Sequence, residues 1–229
     1  MEAPTIDVIV PVFNEAEILE LFYKRISALG LPMNLIFVDN ASSDDSVNII
    51  RGFPGATLIQ HDINEGYGGS LIDGITYSHN DTIIIIDADC EYPPEAIPDI
   101  LEALQTNDVV YTSRLLIHPP PNMPWLKSLG NQMISGLYNV LFGQSTTDLY
   151  TGCKGFKRHC VEGLSFKRKG FEHVLELACL LSRRGYRIVD VPVNFEPRST
   201  GNSKMSHASE TLKFLLLILF YAITTKNEP

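Results

Sequence analysis

Residues 82–95 read TIIIIDADCEYPPE, and this stretch decides what kind of fold the rest of the chain must complete. Its four consecutive isoleucines predict a short strand buried on both faces, which is the pattern of a parallel strand covered by helices on each side. Two aspartates, Asp87 and Asp89, follow the strand directly. Pro93 and Pro94 then suit the first turn of a helix. The stretch therefore predicts a strand, a polar turn and a helix, the repeating unit of an α/β fold.

Strand and helix patterns alternate on both sides of this unit. Short β-branched or apolar runs predict further strands at 6–12, 34–38, 57–60 and 108–112. Helical spacing predicts helices at 15–29, 69–78 and 94–104, and one more that ends at Arg51 and is capped by Ser43 or Asp44. The alternation predicts a single α/β domain whose mainly parallel sheet is flanked by helices. Such sheets bind ligands outside the carboxyl ends of their strands, so the residues that follow each strand are the candidates for function.

The second half of the chain has a different pattern. Long apolar-patterned helices are predicted at 125–142, 170–184 and 207–225, with a strand at 186–193. Residues 214–223 are ten consecutive apolar residues. A helix of that length spans about 15 Å, against about 30 Å for the hydrocarbon core of a bilayer, so it cannot cross a membrane alone. It suits a core helix, an oligomer contact, a helix at the membrane surface or part of a truncated membrane region.

Charge and cysteine content narrow the class of protein. The net charge of −9 over 229 residues argues against a nucleic-acid-binding protein, which needs a basic face. Residues 1–153 hold 5 basic and 20 acidic residues, whereas residues 154–229 hold 13 and 7. This asymmetry predicts an acidic half that suits a cation and a basic half that faces an anion. Four cysteines without a C-x-x-C pair, and a first segment without secretory features, predict reduced thiols in the cytoplasm.

Carboxylates follow three of the predicted strands. Glu15 comes after the first, Asp39 ends the second, and the pair Asp87 and Asp89 follows the fourth, with Glu91 close behind. Since parallel strands end at one edge of a sheet, we expect these side chains to lie together there. Hard oxygen ligands favour Mg²⁺ or Mn²⁺ over Zn²⁺. The carboxylates at this edge therefore predict a site for one of these two cations.

A glycine-rich turn, Asn64-Glu-Gly-Tyr-Gly68-Gly69, leads into the third helix. Its backbone N–H groups could approach phosphates, and Gly68 is our candidate for nucleotide contact. A Rossmann dinucleotide fingerprint fits poorly, because its third glycine would fall on Leu71 and because the turn follows the third strand and not the first. The plain alternative is a tight turn without a ligand.

Six motifs in the correct order, spread over nearly all of residues 6–210, give the chain a family resemblance. It resembles the family-2 glycosyltransferases and, within them, the dolichol- and polyprenol-phosphate sugar synthases. The segments that carry the resemblance are VPVFNE (10–15), VDNASSD (38–44), DADCEYPPE (87–95), Ser113-Arg114, DLYTGCK (148–154) and RSTGNSK (198–204). The resemblance implies a GT-A, Rossmann-like fold with a nucleotide-sugar half at 1–113 and an acceptor-binding part at 114–229.

The resemblance also implies roles for individual residues. Pro11, Phe13, Glu15 and Asp39 would line the nucleoside pocket, Asp87, Asp89 and Glu91 would serve the metal, and Arg114, Arg198 and Lys204 would meet phosphates. Beyond the resemblance, we add Gly68 and Asp87 as candidates for nucleotide binding, and we count Asp89 and Asp148 with Arg114, Arg198 and Lys204 as candidates for catalysis. The implied reaction is inverting, metal-dependent transfer of a sugar from a nucleotide-diphosphate donor to a polyprenyl phosphate. An anionic phosphate acceptor does not demand a strong protein base, so electrostatic stabilisation would carry the reaction.

Two departures and two alternatives stay open. DLYTG at 148–152 replaces the D-P-x-S-G pattern of mannosyl members, which leaves the sugar undecided, and many relatives continue into transmembrane helices. A sugar-hydroxyl acceptor would need a general base, for which Asp148 and Glu172 are candidates. A non-catalytic nucleotide-sugar-binding module is the second alternative. We expect a cytoplasmic protein. A peripheral position on the membrane surface and a homo-oligomer contact through the C-terminal helix are left open as possibilities.

Overall fold

The computed structural model describes residues 6–116, 125–196 and 207–224, without the side chains of residues 125–127 and 207–212. Its strands are β1 (Ile6–Val12), β2 (Met33–Asp39), β3 (Ala56–Gln60), β4 (Thr82–Ile86), β5 (Val109–Ser113), β6 (Cys153–Lys157) and β7 (Ile188–Pro192). Its helices are α1 (Ala16–Ala28), α2 (Ser46–Arg51), α3 (Tyr67–Tyr77), α4 (Ile97–Ala103), α5 (Trp125–Phe142), α6 (Arg158–Val161), α7 (His173–Arg183) and α8 (His207–Ile223).

The seven strands form one sheet in the order β3-β2-β1-β4-β6-β5-β7. All neighbouring pairs are parallel except those that involve β6, which runs antiparallel to both β4 and β5. Val12 lies opposite Asp39, and Ile9 lies opposite both Ile36 and Ile85. The parallel strands β1, β2 and β4 therefore end at the same edge of the sheet, which confirms the predicted mainly parallel α/β architecture.

Helices bury both faces of the sheet. On one face Ile9, Ile85 and Tyr111 pack with residues of α3, α5, α7 and α8, and on the other Val8 and Ile84 pack with residues of α1, α2 and α4. The alternation of these neighbouring strand positions between the two faces is the period-2 geometry of a strand. A sheet covered in this way explains why β4 consists almost entirely of isoleucine.

Most predicted elements agree with the structure to within one to three residues, and some details were wrong. The predicted helix at 94–104 is divided into a 3₁₀ turn, Pro94–Ala96, and α4. The residue that precedes α2 is Asp45, so neither Ser43 nor Asp44 is its N-cap residue. Asp44 instead accepts hydrogen bonds from Ser46 N (3.0 Å) and from Ala16 N (3.0 Å), and it thereby joins the starts of α1 and α2.

Strand β6 was missed by the sequence analysis. Its sequence, CKGFK, contains a lysine and a glycine and so lacks the apolar pattern of a buried strand. The structure nevertheless buries Lys154 completely. A Cβ at Gly155 would lie 2.5 Å from Ile100 Cγ2, so the glycine lets α4 pack closely over the strand.

The apolar helix α8 lies partly in the core, as one of the expectations had it, and leaves a second apolar face exposed. Phe214, Leu217, Ile218 and Tyr221 are buried in the core. The opposite face exposes apolar side chains at Leu216, Leu219, Phe220 and Ile223, with exposed fractions between 39% and 76%. None of the helices in the described ranges is both long and apolar enough to cross a membrane.

Candidate active site

The loops after β1, β2 and β4 share an unusual backbone conformation. Within the described ranges, the non-glycine residues with positive φ are Asn14 (53°), Ala41 (60°) and Cys90 (58°), one in each of these loops. Such conformations are uncommon for residues with a side chain and cluster at ligand-binding sites. The strain therefore marks the sheet edge where the sequence places its carboxylates.

The first two of these loops hold each other in place. Asn14 N donates to Ser42 Oγ (2.9 Å), and Ser43 N donates to Asn14 Oδ1 (2.8 Å). Glu15 N donates to Ser46 Oγ (3.0 Å). The residue before α1, Glu15, makes no side-chain cap of its own, so the second loop satisfies the N–H groups at the start of the helix.

A cavity of about 320 Å³ opens at this edge. Five of the predicted site residues line it, together with residues that the sequence analysis did not assign to the site. The full lining is Pro11, Val12, Phe13, Glu15, Asn40, Asn64, Gly66, Tyr67, Ser70, Asp87, Ala88, Asp89 and Phe171. The structure thus brings the strand-end residues and the glycine-rich turn to one concave site.

Asp87 and Asp89 have different surroundings within the cavity. Asp87 Oδ1 accepts a hydrogen bond from Tyr67 Oη (2.8 Å), and burial, followed by the charge of Asp87, raises the pKa of Tyr67 well above its ordinary value. A Cβ at Gly152 would overlap the Asp87 carboxylate, so glycine is required there. Asp89 is 8% exposed, and its Oδ1 accepts a hydrogen bond from Glu91 N (2.9 Å).

These side chains fit a divalent cation. Asp87 and Asp89 present hard carboxylate oxygens to a shared cavity, which is the ligand chemistry of Mg²⁺ and Mn²⁺. Glu91 follows Asp89 by two positions and is partly buried, but it does not line the cavity. Its metal role therefore stays a prediction. Another group of potential ligands, Asp108, His159 and Cys160, lies near the other ends of β5 and β6 and is no part of this site.

Asp39 provides a buried acceptor at the same edge. The residue is completely buried, and its Oδ2 accepts a hydrogen bond from Ser42 N (3.1 Å). Its Oδ1 has no hydrogen-bond partner among the described residues. Because leaving a buried acceptor unpaired is costly, this oxygen suits a donor group. Asp39 does not line the cavity, so its contact with a ligand stays a prediction.

Asn40 ties the end of β2 to the glycine-rich turn and was not predicted as a site residue. Its Oδ1 accepts from Glu65 N (2.8 Å), and its Nδ2 donates to Asn64 Oδ1 (3.0 Å). The signal in the sequence was its position immediately after Asp39 at a strand end. Phe171, by contrast, lies far away in sequence and gave no signal.

The glycine-rich turn contributes Gly66 and Tyr67 to the cavity, whereas Gly68 faces away from it. Gly66 has φ of 85°, which favours glycine. A Cβ at Gly68 would lie 2.7 Å from Arg168 O, so packing against that segment explains this glycine. The Tyr67 ring stacks on Phe171 with a centroid distance of 5.4 Å. A nucleotide contact by Gly68 stays a prediction.

Arg114 and Asp148 form a closed pair. Arg114 Nε and Nη2 donate to the two oxygens of Asp148 at 2.6 and 2.8 Å, and Arg114 N (3.3 Å) and Asn131 Nδ2 (2.8 Å) donate to the same carboxylate. Burial acts to raise the pKa of Asp148, but the charge and hydrogen bonds of Arg114 outweigh it and lower the pKa. Asp148 is completely buried, so its geometry is that of a partner that orients Arg114 and not of a base facing a substrate.

The guanidinium of Arg114 lies 5.5 Å from the ring centroids of both Tyr92 and Phe195. Tyr92 follows Glu91 directly, so the arginine lies close to the turn that carries the two aspartates. Arg198 and Lys204 lie outside the described residues. Their roles, and that of Arg114 in catalysis, stay predictions.

Comparison with known proteins shows the family of the chain. The sequence profile described as Glycosyl transferase family 2 matches residues 7–164. An undecaprenyl-phosphate 4-deoxy-4-formamido-L-arabinose transferase from Sodalis glossinidius is 27% identical over 216 residues, covering 90% of this chain and 64% of that protein. An undecaprenyl-phosphate mannosyltransferase from Micrococcus luteus is 30% identical over 213 residues, covering 86% of each protein. The chain thus spans less than two thirds of the length of the first of these relatives.

A solved structure shares the fold at low identity. Glucosyl-3-phosphoglycerate synthase from Mycobacterium tuberculosis, in complex with Mn²⁺, UDP and glucosyl-3-phosphoglycerate, has a TM-score of 0.73 at 18% identity, covering 96% of this chain and 80% of that chain. Its complex with Mg²⁺ and UDP gives a TM-score of 0.74, covering 96% and 79%. The likeness confirms the GT-A fold. Since the family profile covers well over half of the sequence, the chain belongs to glycosyl transferase family 2.

Proposed function

We propose that this protein transfers a sugar from a nucleotide-diphosphate donor to a polyprenyl phosphate, with inversion at the anomeric carbon. The observation that carries the proposal is the cavity at the carboxyl edge of β1, β2 and β4, which Asp87 and Asp89 line together with strand-end residues. Two relatives named as undecaprenyl-phosphate sugar transferases support the choice of acceptor. Residues 1–113 would bind the donor, and residues 114–229 would bind the acceptor.

At the donor end, the unpaired oxygen of Asp39 would accept a hydrogen bond from the nucleoside. Pro11, Phe13 and Glu15 would form the wall next to it, since all three line the cavity. Asp87 and Asp89 would hold Mg²⁺ or Mn²⁺, which, when bound, would neutralise charge on the departing diphosphate. Tyr67, by donating to Asp87, would keep that carboxylate oriented.

At the acceptor end, a phosphate oxygen of the lipid would attack the anomeric carbon. A new bond from carbon to oxygen forms, and the bond to the donor diphosphate breaks with its electron pair on the leaving group. Arg114, Arg198 and Lys204 would stabilise the phosphates as fixed cations. Asp148 would contribute indirectly, by holding the guanidinium of Arg114.

The exposed apolar face of α8 supports a position at the membrane surface. Exposed apolar side chains also occur on α5, at Leu129, Met133, Val140 and Leu141. We propose that the protein works at the cytoplasmic face of a membrane, where such a surface would contact lipid tails. A homo-oligomer that covers α8 is the alternative use of the same face.

The deciding assay offers one radiolabelled nucleotide sugar to a short polyprenyl phosphate and, separately, to a panel of free sugars, with Mn²⁺ present. We expect label in the lipid fraction only. Label that enters only the free sugars would reject the lipid acceptor in favour of a hydroxyl acceptor, which needs a protein base. Of the two candidate bases, Asp148 is sealed by Arg114, and Glu172 is partly exposed. Nucleotide binding without transfer or donor hydrolysis would support a non-catalytic module.

A further inference from the structure

Glu176 is a completely buried carboxylate that the proposed reaction does not use. Its Oε1 accepts hydrogen bonds from Tyr221 Oη (2.6 Å) and from Lys167 N (2.9 Å), and its Oε2 accepts one from Arg168 N (2.9 Å). Burial acts to raise the pKa of Glu176, but these bonds and the nearby His173 outweigh burial and lower it. One side chain of α7 thus joins α8 to the backbone of residues 167 and 168.

The segment 167–169, which we call the basic turn, packs directly on the glycine-rich turn of the cavity. Lys169 O accepts a hydrogen bond from Gly69 N (3.1 Å). A Cβ at Gly66 would overlap Lys169 O, and one at Gly68 would lie 2.7 Å from Arg168 O. Lys169 also pairs with Glu65. With no space between the two turns, the position of the basic turn fixes that of Gly66 and its neighbours.

The contacts continue from there to Asp87. Tyr67 follows Gly66, stacks on Phe171 and donates its hydroxyl to Asp87. An unbroken series of contacts therefore runs from Tyr221 on α8 through Glu176 and the basic turn to Tyr67 and Asp87. Its first member lies on the helix whose other face exposes Leu216, Leu219, Phe220 and Ile223.

We propose that Glu176 is a positioning residue that couples the placement of α8 to the geometry of the donor cavity. This proposal rests on the function proposed above, because it assigns the cavity to a nucleotide and α8 to the lipid side. Glu176 touches neither ligand and acts through the basic turn. Loosening α8 from Glu176 would then weaken nucleotide binding, although Tyr221 does not line the cavity.

Two buried tyrosines make a matched test. Tyr221→Phe removes the bond from α8 to Glu176. Tyr138→Phe removes hydrogen bonds from α5 to α7, where Tyr138 Oη contacts Ala178 O (2.9 Å) and Ser182 Oγ (2.5 Å), without touching the basic turn. Glu176→Gln is the third variant, because an amide NH₂ cannot accept from the N–H groups of Lys167 or Arg168.

The measurements are calorimetric titration with UDP and with GDP in the presence of Mn²⁺, and hydrogen exchange of the amides of residues 66–70. For whichever nucleotide the wild type binds, we expect Tyr221→Phe to weaken binding about fivefold and Glu176→Gln about tenfold or more. Exchange at residues 66–70 should speed up in both. Tyr138→Phe should change neither quantity, although it should lower the unfolding temperature at least as much as Tyr221→Phe does.

The proposal would be overturned if the two tyrosine variants changed nucleotide affinity and exchange equally. It would also be overturned if Tyr221→Phe kept the affinity and exchange of the wild type. A residue that only stabilises the fold changes the unfolding temperature alone. If Glu176→Gln does not fold, the tyrosine pair still decides the matter. If the wild type binds no nucleotide, the proposed function fails. The exchange measurement then tests the coupling alone. Faster exchange at residues 66–70 in Tyr221→Phe but not in Tyr138→Phe would support it.

Discussion

The edge formed by β1, β2 and β4 and the region around β5 and β6 both hold charged residues, but the first presents them to a cavity and the second encloses them. At the first, Asp87 and Asp89 line an open cavity. At the second, Asp148 is enclosed by Arg114 and Asn131, and Lys154 is completely buried beside the Tyr111 ring (5.1 Å). The antiparallel β6 lies between β4 and β5 in the sheet, with Lys154 on the strand itself and Asp148 in the segment that precedes it.

Lys154 shows how far this enclosure goes. Burial lowers its pKa to about 8, against the opposing effect of the Asp87 charge. Its Nζ has no hydrogen-bond partner among the described residues. The motif DLYTGCK thus contributes charges that are enclosed behind the cavity, whereas Asp87 and Asp89 of DADCE line the cavity.

The largest effect is expected from breaking the enclosed region. Asp148→Ala leaves the buried Arg114 guanidinium without its partner, and removing one member of a buried ion pair costs about 3–5 kcal/mol of folding free energy. Urea denaturation measures the loss. The control is Asp108→Ala, whose side chain is 52% exposed and whose loss should cost about 1 kcal/mol or less. Equal losses in the two variants would contradict the distinction.

The same pair makes a prediction about pH. The folded protein lowers the pKa of Asp148 below the ordinary value of 3.8, so the carboxylate contributes its full stabilisation above that value. The contribution is lost as the pH falls through the lowered pKa. The stability difference between the wild type and Asp148→Ala should therefore be constant from pH 7 down to about pH 5 and should narrow below about pH 4.

The second largest effect is expected at the open edge. Asp89→Asn removes the negative charge of a proposed metal ligand that lines the cavity. Transfer should therefore slow by about 100-fold or more, with little change in the free energy of unfolding. The control is Asp62→Asn, at an exposed position after β3, which should retain wild-type transfer. An Asp89→Asn enzyme that keeps full activity would remove the metal role from our account.

A smaller effect is expected from Asp39→Ala. The variant loses the proposed hydrogen bond from the nucleoside to a charged acceptor. Nucleotide binding should therefore weaken about tenfold, as measured by calorimetry. Gln60 lies opposite Asp39 in the sheet and is exposed, so Gln60→Ala is the matched control at the same edge. Unchanged affinity in Asp39→Ala would reduce Asp39 to the partner of Ser42 N.

The smallest effect is expected from Tyr67→Phe. The variant keeps the ring that stacks on Phe171 and loses only the hydroxyl that donates to Asp87. We expect transfer to slow about fivefold, the scale of one hydrogen bond. A loss as large as that of Asp89→Asn would mean that Tyr67 acts directly on the substrate.

The fold and the open edge could be predicted from the sequence because their signals are local. Four isoleucines before Asp87 identify a buried strand, and parallel strands bring their ends to one edge whatever follows them. The pairings of the second half depend on contacts between distant segments. Nothing near Lys154 indicates burial, and nothing near Phe171 indicates that its ring stacks on Tyr67.

The predicted role of Asp148 illustrates the same difference. Its position in a motif indicated importance, but only the structure reveals that both of its oxygens are occupied by Arg114. Residues 198 and 204 lie outside the described residues, so the sequence remains the source for their assignment to phosphates.

The central claim is that the cavity at the carboxyl edge binds a nucleoside diphosphate together with a divalent metal. Calorimetric titration of the wild type and of Asp89→Asn with UDP and with GDP, each with and without Mn²⁺, tests it most directly. We predict that the wild type binds one equivalent of one of the two nucleotides, and that omitting Mn²⁺ or introducing Asp89→Asn weakens this binding by at least about tenfold. Binding of neither nucleotide in the presence of Mn²⁺, or binding that is indifferent to both the metal and Asp89, would contradict the account.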